Sequence, residues 1–242
     1  MNAYQNIVSV ASLIGDPSRA IMLDALMGGQ ALPAGELAYI AGVSPQTASA
    51  HLSKLVEGNL LAVESHGRHR YYRLSNAEVA QFMEMMATLS PARPVKSLRQ
   101  SDELVKVRAA RTCYDHLAGR LGVAVTNAWL ERGYLAILSD REFGVTDEGA
   151  AHLLKWGVDL KAASPGRRVF AKRCLDWSER YHHIGGYLGA RMASAALANG
   201  WVERRAGTRA LRVTEHGEKW LSEMYGIDWR VDADAIGQAQ SR

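Results

Sequence analysis

Two segments in the second half of this 242-residue sequence combine thiol, imidazole and carboxylate side chains. The segment CYDH contains Cys113 and His116, and the segment CLDWSERYHH contains Cys174 and His182 together with a further aspartate and histidine. Such side chains bind zinc or a softer metal, and a Cys-x-x-His spacing puts both ligands on one face of a helix. These four residues are therefore candidates for binding a metal effector or for thiol redox chemistry.

Three other interpretations compete with metal binding. His116 and His183 occupy matching positions of an internal repeat, so equivalent packing explains both histidines without a metal. Aromatic residues among glycines indicate a pocket for an organic effector, which we favour, although core filling explains any single one of them: Trp129, Tyr134, Trp156, Trp177, Tyr187 and Trp201. A Cys/His enzyme with Cys113 as nucleophile lacks an oxyanion or orienting motif, so we expect no enzyme.

Basic residues are concentrated at one point of the N-terminal part. Residues 1–95 contain six Lys/Arg against seven Asp/Glu, so this part as a whole is close to neutral, although the chain carries a net charge of +4. Four of the six cations fall close together, at Lys54, Arg68, Arg70 and Arg73. A local basic patch on a neutral domain indicates a polyanionic partner at that patch.

The elements that must position this patch are a pair of helices and a hairpin. The sequence predicts a short helix over 34–41 that ends at Gly42, and a second helix that Ser44 caps. An extended hairpin with Gly67 at its tip follows. A helix of this size fits the major groove, and arginines on such a wing contact phosphates or the minor groove. The pattern therefore predicts a winged helix-turn-helix that binds double-stranded DNA.

The amino-acid sequence of this region resembles that of a known family. The stretches IGDPSRAIMLDAL, ELAYIAGVSPQTASAHLSKLVEGNLL and GRHRYYRLS are similar to the ArsR/SmtB transcriptional regulators over about residues 5–90. The resemblance implies a homodimer, built largely by the terminal helices of the domain, that represses an inverted-repeat operator until an effector releases it. Carried over by position, it implies DNA contacts from the second helix and from the wing, with Lys54 on the outward helix face: Ser44, Gln46, Thr47, Ser49, His51, Lys54, Arg68 and Arg70.

The chain departs from that family at its familiar metal sites. Where metal-sensing members have Cys-x-Cys on the third helix, this sequence has the stretch Glu36 to Tyr39 without cysteine. Where other members have Asp and His ligands on the last helix, it has Glu78, Gln81 and Glu84. Sensing is therefore expected in the additional C-terminal half.

That C-terminal half contains an internal repeat. Residues 114–135 align without gaps on 181–202 at an offset of 67, and VTDEG at 145 matches VTEHG at 213 at an offset of 68. Each unit is predicted as two helices, the second ending in glycine, then a strand pair and a helix capped by threonine, which is winged-helix-like. The two cysteines are 61 residues apart and so are not sequence mates; a shared site would have to join the two units.

These observations predict a mainly α fold with small β-hairpins, of the α+β class. The predicted organisation is a winged helix-turn-helix domain over 1–90, a linker over 91–96, a duplicated effector or oligomerisation domain over 97–230 and a tail over 231–242. The repeats cover about 104–160 and 171–229. Two cysteines and no long apolar run favour a cytoplasmic protein without membrane contact. No cofactor is certain, and zinc or another metal stays open.

Overall fold

The computed structural model describes residues 3–67, 69–89, 98–160, 166 and 168–229. It forms two compact units: a first unit of Met1–Met83 with Gly207–Arg209, and a second unit of Glu84–Ala206 with Ala210–Arg242. The predicted linker over 91–96 and the predicted tail over 231–242 lie outside the described residues. No helix in the described ranges is long and apolar enough to cross a membrane.

The first unit contains the predicted helix-turn-helix and wing. Its elements are α1 (Ala3–Ile14), α2 (Pro17–Ala25), β1 (Leu32–Pro33), α3 (Ala34–Ala41), α4 (Pro45–Glu57), β2 (Leu61–His66), β3 (His69–Leu74) and α5 (Ala77–Leu89), which continues into the second unit. The three strands form one antiparallel sheet in the order β1-β3-β2. The element order confirms the predicted fold class.

Local chemistry fixes the ends of these helices as the sequence predicts. The Asp16 carboxylate accepts a hydrogen bond from the Arg19 N–H at 3.0 Å, and Ser44 Oγ accepts one from the Thr47 N–H at 3.2 Å. Gly42 ends α3 at φ 65°, a left-handed conformation that costs glycine little. These caps set the sharp turn between α3 and α4.

The second unit begins with α6 (Leu98–Ala109) and then repeats one module. The first copy has β4 (Arg111–Cys113), β5 (His116–Ala118), α7 (Gly119–Glu131), β6 (Leu135–Ile137), β7 (Phe143–Val145) and α8 (Asp147–Leu154). The second copy has β8 (Lys172–Leu175), β9 (His182–Gly185), α9 (Gly186–Ala198), β10 (Val202–Arg204), β11 (Leu211–Val213) and α10 (Glu215–Tyr225). The duplication is therefore present as hairpin, helix, hairpin, helix.

This order corrects one prediction and confirms another. The segment around Cys113 and His116 is a hairpin with a two-residue loop, not a helix, so the prediction that both side chains share a helical face is wrong. The second copy likewise begins with a hairpin, β8–β9, where a helix was predicted. The threonine caps are confirmed: Thr146 and Thr214 accept hydrogen bonds from the N–H groups of Gly149 and Gly217 at 3.0 and 2.9 Å.

The two copies pack reciprocally. Helix α9 of the second copy contacts β5 of the first, and α7 of the first contacts β9 of the second. Two glycines permit this: a Cβ at Gly122 would lie 3.4 Å from the His183 Cβ, and one at Gly189 would lie 2.9 Å from the His116 Cβ. The first hairpins of both copies are thereby brought together in the middle of the unit.

Candidate functional site

Helix α4 of the first unit divides its side chains between the core and the surface. Ala48, Leu52 and Leu55 are fully buried at the i, i+4 and i+7 positions of one face. The side chains of five predicted DNA contacts are exposed: Ser44, Gln46, Thr47, Ser49 and Lys54. The helix therefore presents a short polar surface at its N-terminal end, the end with which recognition helices contact base edges.

His51 differs from the other predicted contacts because its side chain is only 17% exposed. Its Nδ1 lies 3.4 Å from Arg19 Nη1 and 3.8 Å from Asp16 Oδ1. The backbone N–H of Arg19 and the charges of Arg19 and His51 lower the pKa of Asp16, against a smaller opposing effect of burial. Sequence reasoning missed this arrangement, in which α2 positions a histidine of α4.

The wing is the β2–β3 hairpin, which turns at Gly67 with φ 61°. Arg70 is exposed on β3 and lies opposite Ser65. Arg73 Nε donates to the Glu64 carboxylate, so its charge is already paired on the wing surface. Arg68, the other predicted wing contact, lies outside the described residues.

The second unit contains a group that we call the Cys/His cluster. Its four ligand atoms lie within 4.8 Å of one another, and no member is more than 7% exposed: Cys113, His116, Cys174 and His183. Cys113 is opposite His116 in the β4–β5 register, and Cys174 is opposite His183 in the β8–β9 register. Each copy of the module therefore contributes one thiol and one imidazole.

The structure replaces one predicted candidate. His182 does not belong to the cluster; it lies opposite Leu175, and its Nδ1 is 3.5 Å from Arg173 Nη2. Successive residues of a strand point to opposite faces, so only one of the two adjacent histidines can face the Cys174 thiol. The prediction of His182 as the fourth member is wrong, and His183 takes that position.

The cysteines are equivalent in the fold although the sequence alignment separates them. Two residues lie between Cys113 and His116, whereas eight lie between Cys174 and His183. The six extra residues of the β8–β9 hairpin, four in a longer loop and two in longer strands, account for the difference between the offsets of 61 and 67. A hairpin loop tolerates such an insertion because it leaves the strand register unchanged.

Each histidine of the cluster has a carboxylate oxygen close to its Nδ1 atom. His116 Nδ1 lies 3.3 Å from Asp115 Oδ1, and Asp115 Oδ2 accepts a hydrogen bond from Arg168 at 2.7 Å. His183 Nδ1 lies 3.2 Å from Asp176 Oδ2. Within the described part of the chain, Nε2 of neither histidine has a hydrogen-bond partner, and the contact of His183 Nδ1 with Asp176 is a close approach without hydrogen-bond geometry.

Asp176 is more deeply buried than Asp115. It accepts hydrogen bonds from Arg111 Nη2 at 2.9 Å, from the Gly119 N–H at 2.7 Å and from Ser178 Oγ at 2.7 Å. Burial raises the pKa of Asp176, but His183 and Arg111 outweigh this effect and hold it far below its usual range. The carboxylate is therefore charged and fixed in place beside the cluster.

The Cys113 thiol keeps its proton in this environment. A hydrogen bond with Cys174 and burial raise the pKa of the Cys113 thiol to about 12. A thiol that keeps its proton is a poor nucleophile. This environment gives no support to Cys113 as the nucleophile of an enzyme.

The predicted aromatic pocket is instead a packed core. Trp156 contacts Trp201 edge-on at 5.2 Å, and Trp201 stacks on Trp220 at 4.0 Å. Trp129 and Tyr134 belong to the same packed cluster. Trp177 lies apart from it, beneath the Arg111 guanidinium. Trp129, Tyr134, Trp156 and Trp201 therefore pack against one another as core residues, and Tyr187 lies beside Phe170. An organic effector near these side chains stays a prediction.

Comparisons with known proteins agree with the first unit and extend over the second. A family model described as a helix-turn-helix domain matches residues 14–64. The HTH-type transcriptional regulator YdfF of Bacillus subtilis (strain 168) is 47% identical over 213 residues, which cover 88% of this chain and 94% of YdfF.

Solved structures that resemble the chain cover a smaller part of it. NolR from Sinorhizobium fredii is 27% identical, with a TM-score of 0.34, over 37% of this chain and 89% of NolR. The homodimeric winged helix-turn-helix domain of Mb0332 from Mycobacterium bovis is 24% identical, with a TM-score of 0.34, over 36% of this chain and 79% of that domain. The relation to YdfF extends through both units, and with it the chain belongs to the HTH-type transcriptional regulators.

Proposed function

We propose that this regulator represses transcription as a homodimer that inserts α4 of each protomer into successive major grooves of an inverted repeat. The observation that carries this proposal is the exposed polar N-terminus of α4, with Gln46 and Thr47, on a domain whose wing carries the exposed Arg70. Polar side chains on such a helix read base edges, while a wing arginine contributes charge to phosphate contacts.

Exposed apolar side chains support the homodimer. Ile7 and Val8 on α1 and Phe82 on α5 are exposed, and these are the terminal helices of the DNA-binding domain. Apolar surface left in water on two helices is typical of a face that a second copy covers. Val79 does not contribute to this face, because it is buried.

We further propose that the effector acts on the second unit. Its Cys/His cluster supports two candidates, a metal ion such as zinc or an oxidant that acts on Cys113 and Cys174. Either would change the contact between the two copies of the module. An effector that favours one state of the dimer shifts DNA affinity by its coupling free energy, typically about 1–3 kcal/mol.

Titration of the purified chain against duplexes with an inverted repeat tests the DNA interface. Arg70→Ala should weaken binding to all sequences alike and reduce the slope of log affinity against log salt concentration by about one. Gln46→Ala should instead change base preference, at a cost of about 1–3 kcal/mol in binding free energy. Lys155→Ala is the matched control, because Lys155 is an exposed cation of the second unit. Equal behaviour of the Arg70 and Lys155 variants would reject the wing as a DNA contact.

A further inference from the structure

We propose that the Cys/His cluster binds one zinc ion, which links the two copies of the module in the second unit. The donor set is two thiolates and two imidazoles, from Cys113, His116, Cys174 and His183. Four protein ligands complete a tetrahedral site and leave no open position for a substrate. The site is thus closed, of the structural or regulatory kind rather than the catalytic kind. Its regulatory role rests on the proposed function; the binding itself does not.

The two carboxylates select the form of histidine that a metal needs. Asp115 Oδ1 and Asp176 Oδ2 lie 3.3 and 3.2 Å from Nδ1 of His116 and His183, so a carboxylate is available to each ring when its proton is on Nδ1. The lone pair of each imidazole is then on Nε2, the atom left without a partner within the described residues. A carboxylate behind each ligating histidine orients the ring and raises its basicity, as in many zinc sites.

A bound metal ion would engage more side chains of the Cys/His cluster than a disulfide would. A bond between Cys113 and Cys174 would use both sulfur atoms but leave Nε2 of His116 and Nε2 of His183 without hydrogen-bond partners. Buried polar atoms without partners cost about 1–3 kcal/mol each. One zinc ion engages all four side chains, and two thiolates neutralise its charge, which suits a buried position.

A glycine on β9, Gly185, leaves room for the side chains of the Cys/His cluster. A Cβ at position 185 would lie 3.2 Å from His116 Nε2 and 3.3 Å from the Cys174 Cβ, and glycine avoids both contacts. Because the cysteine and histidine of each copy are cross-strand partners, the strand register sets their separation. The ion would therefore bind between the two paired hairpins.

Cobalt substitution in the full-length chain tests the site directly. The chain is stripped of metal with a chelator under reducing conditions and titrated with Co²⁺, followed by Zn²⁺. We expect one Co²⁺ per chain, with the visible bands of tetrahedral cobalt and near-ultraviolet thiolate charge-transfer bands, all displaced by Zn²⁺. Octahedral spectra, or binding without thiolate bands, would overturn the proposal.

Adjacent histidines provide the matched pair of variants. His183→Ala should abolish stoichiometric tetrahedral binding, whereas His182→Ala should preserve it, because the two side chains point to opposite faces of β9. Asp115→Asn should leave the fold intact and weaken zinc binding by about 10–100-fold. If His183→Ala proves unfolded by circular dichroism, the Asp115→Asn titration decides. Equal metal affinity of wild type and Asp115→Asn, with equal spectra for both histidine variants, would refute the site.

Operator binding with and without Zn²⁺ tests the regulatory role separately. We expect zinc to change the operator affinity of the wild type by about 5–150-fold and that of His183→Ala not at all. Tetrahedral cobalt together with an unchanged operator affinity would reject the regulatory role alone. Tetrahedral cobalt without DNA binding under any condition would reject the proposed function and leave the metal site standing.

Discussion

The hydroxyl of Tyr225 lies 2.8 Å from Nε2 of His152, inside the aromatic core of the second unit. The same hydroxyl accepts hydrogen bonds from the indole N–H groups of Trp129 and Trp156 at 3.0 and 3.1 Å. Both lone pairs of the oxygen are thereby used, so its proton must be donated to His152. Burial raises the pKa of Tyr225, which keeps that proton in place. His152 is therefore the neutral imidazole with its own proton on Nδ1.

The first prediction concerns this hydroxyl. Tyr225→Phe should lower the free energy of unfolding by about 2–3 kcal/mol, because it leaves two buried indole N–H groups and one imidazole without a partner. Urea denaturation monitored by tryptophan fluorescence measures the loss. The control is Tyr181→Phe, which removes a hydroxyl from an exposed side chain. Equal stabilities of the two variants would mean that the hydroxyl contributes nothing.

The second prediction is the pH dependence that follows from His152. Burial, followed by the charges of Lys155 and Arg132, lowers its pKa below the usual 6.5. The unfolded chain then binds a proton at pH values where the folded chain does not, so stability is lost as the pH falls below about 6.5. Thermal melting between about pH 7.5 and pH 5.5 should show this decline. His152→Gln should make the decline smaller; an unchanged decline would assign it to other groups.

The first unit could be predicted from sequence in detail because local signals specify it. Asp16, Gly42 and Ser44 each act within four residues, and the structure shows each of them in its predicted role. The polar face of α4 follows from helical periodicity alone. What periodicity could not show is that Arg19 of α2 reaches His51, since that contact spans 32 residues.

The second unit was predicted less well because its key contacts are long-range. The repeat was visible, but the strands at Cys113 and Cys174 are only three and four residues long, too short for a period of two to be distinguished from a helix. The choice between His182 and His183 depends on strand register, which no local signal gives. The aromatic residues were identified, but their dense packing against one another depends on the tertiary arrangement.

The third prediction uses a glycine that both copies of the module need. A Cβ at Gly217 would lie 2.0 Å from the backbone oxygen of Trp201, and one at Gly149 would lie 2.2 Å from that of Tyr134. Gly217→Ala should therefore destabilise the chain by more than about 2 kcal/mol, since backbone cannot move aside as a flexible side chain can. Denaturant titration measures this change.

Gly35→Ala is the control for that variant. Gly35 lies in helix α3, and nothing is within 4 Å of the Cβ that alanine would add. Alanine should stabilise the helix there by about 0.5–1 kcal/mol. The prediction fails if Gly217→Ala also leaves stability unchanged or raises it.

The fourth prediction concerns the homodimer. Phe82→Glu places a charge on the exposed apolar face of α5 and should shift the chain from dimer to monomer, with a parallel loss of operator affinity. Sedimentation at micromolar concentration and DNA titration measure the two effects. Ile137→Glu, at an exposed apolar position of β6 in the second unit, should change neither. Dissociation by the Ile137 variant but not by the Phe82 variant would move the interface to the second unit.

The last prediction tests the ion pair that joins the two copies of the module. Arg111 and Asp176 are both fully buried at 2.9 Å, and the Glu84 carboxylate lies 3.6 Å from the same Arg111 nitrogen. Removing one partner of a buried pair leaves an uncompensated charge, so Arg111→Met should cost about 3–5 kcal/mol. The exposed pair of Arg212 and Glu203 is the control, and Arg212→Met should cost less than about 1 kcal/mol.

A second measurement separates the charge from the shape of the arginine. The pKa of Asp176 is depressed in the folded chain, so its contribution to stability is present above the pKa of the unfolded chain, about 3.9, and disappears as the pH falls below that value. In Arg111→Met the pKa of Asp176 should be depressed less, so less stability should be lost as the pH falls below about 3.9. If Arg111→Met lowered stability equally at every pH, lost packing against Trp177 rather than lost charge would explain the cost.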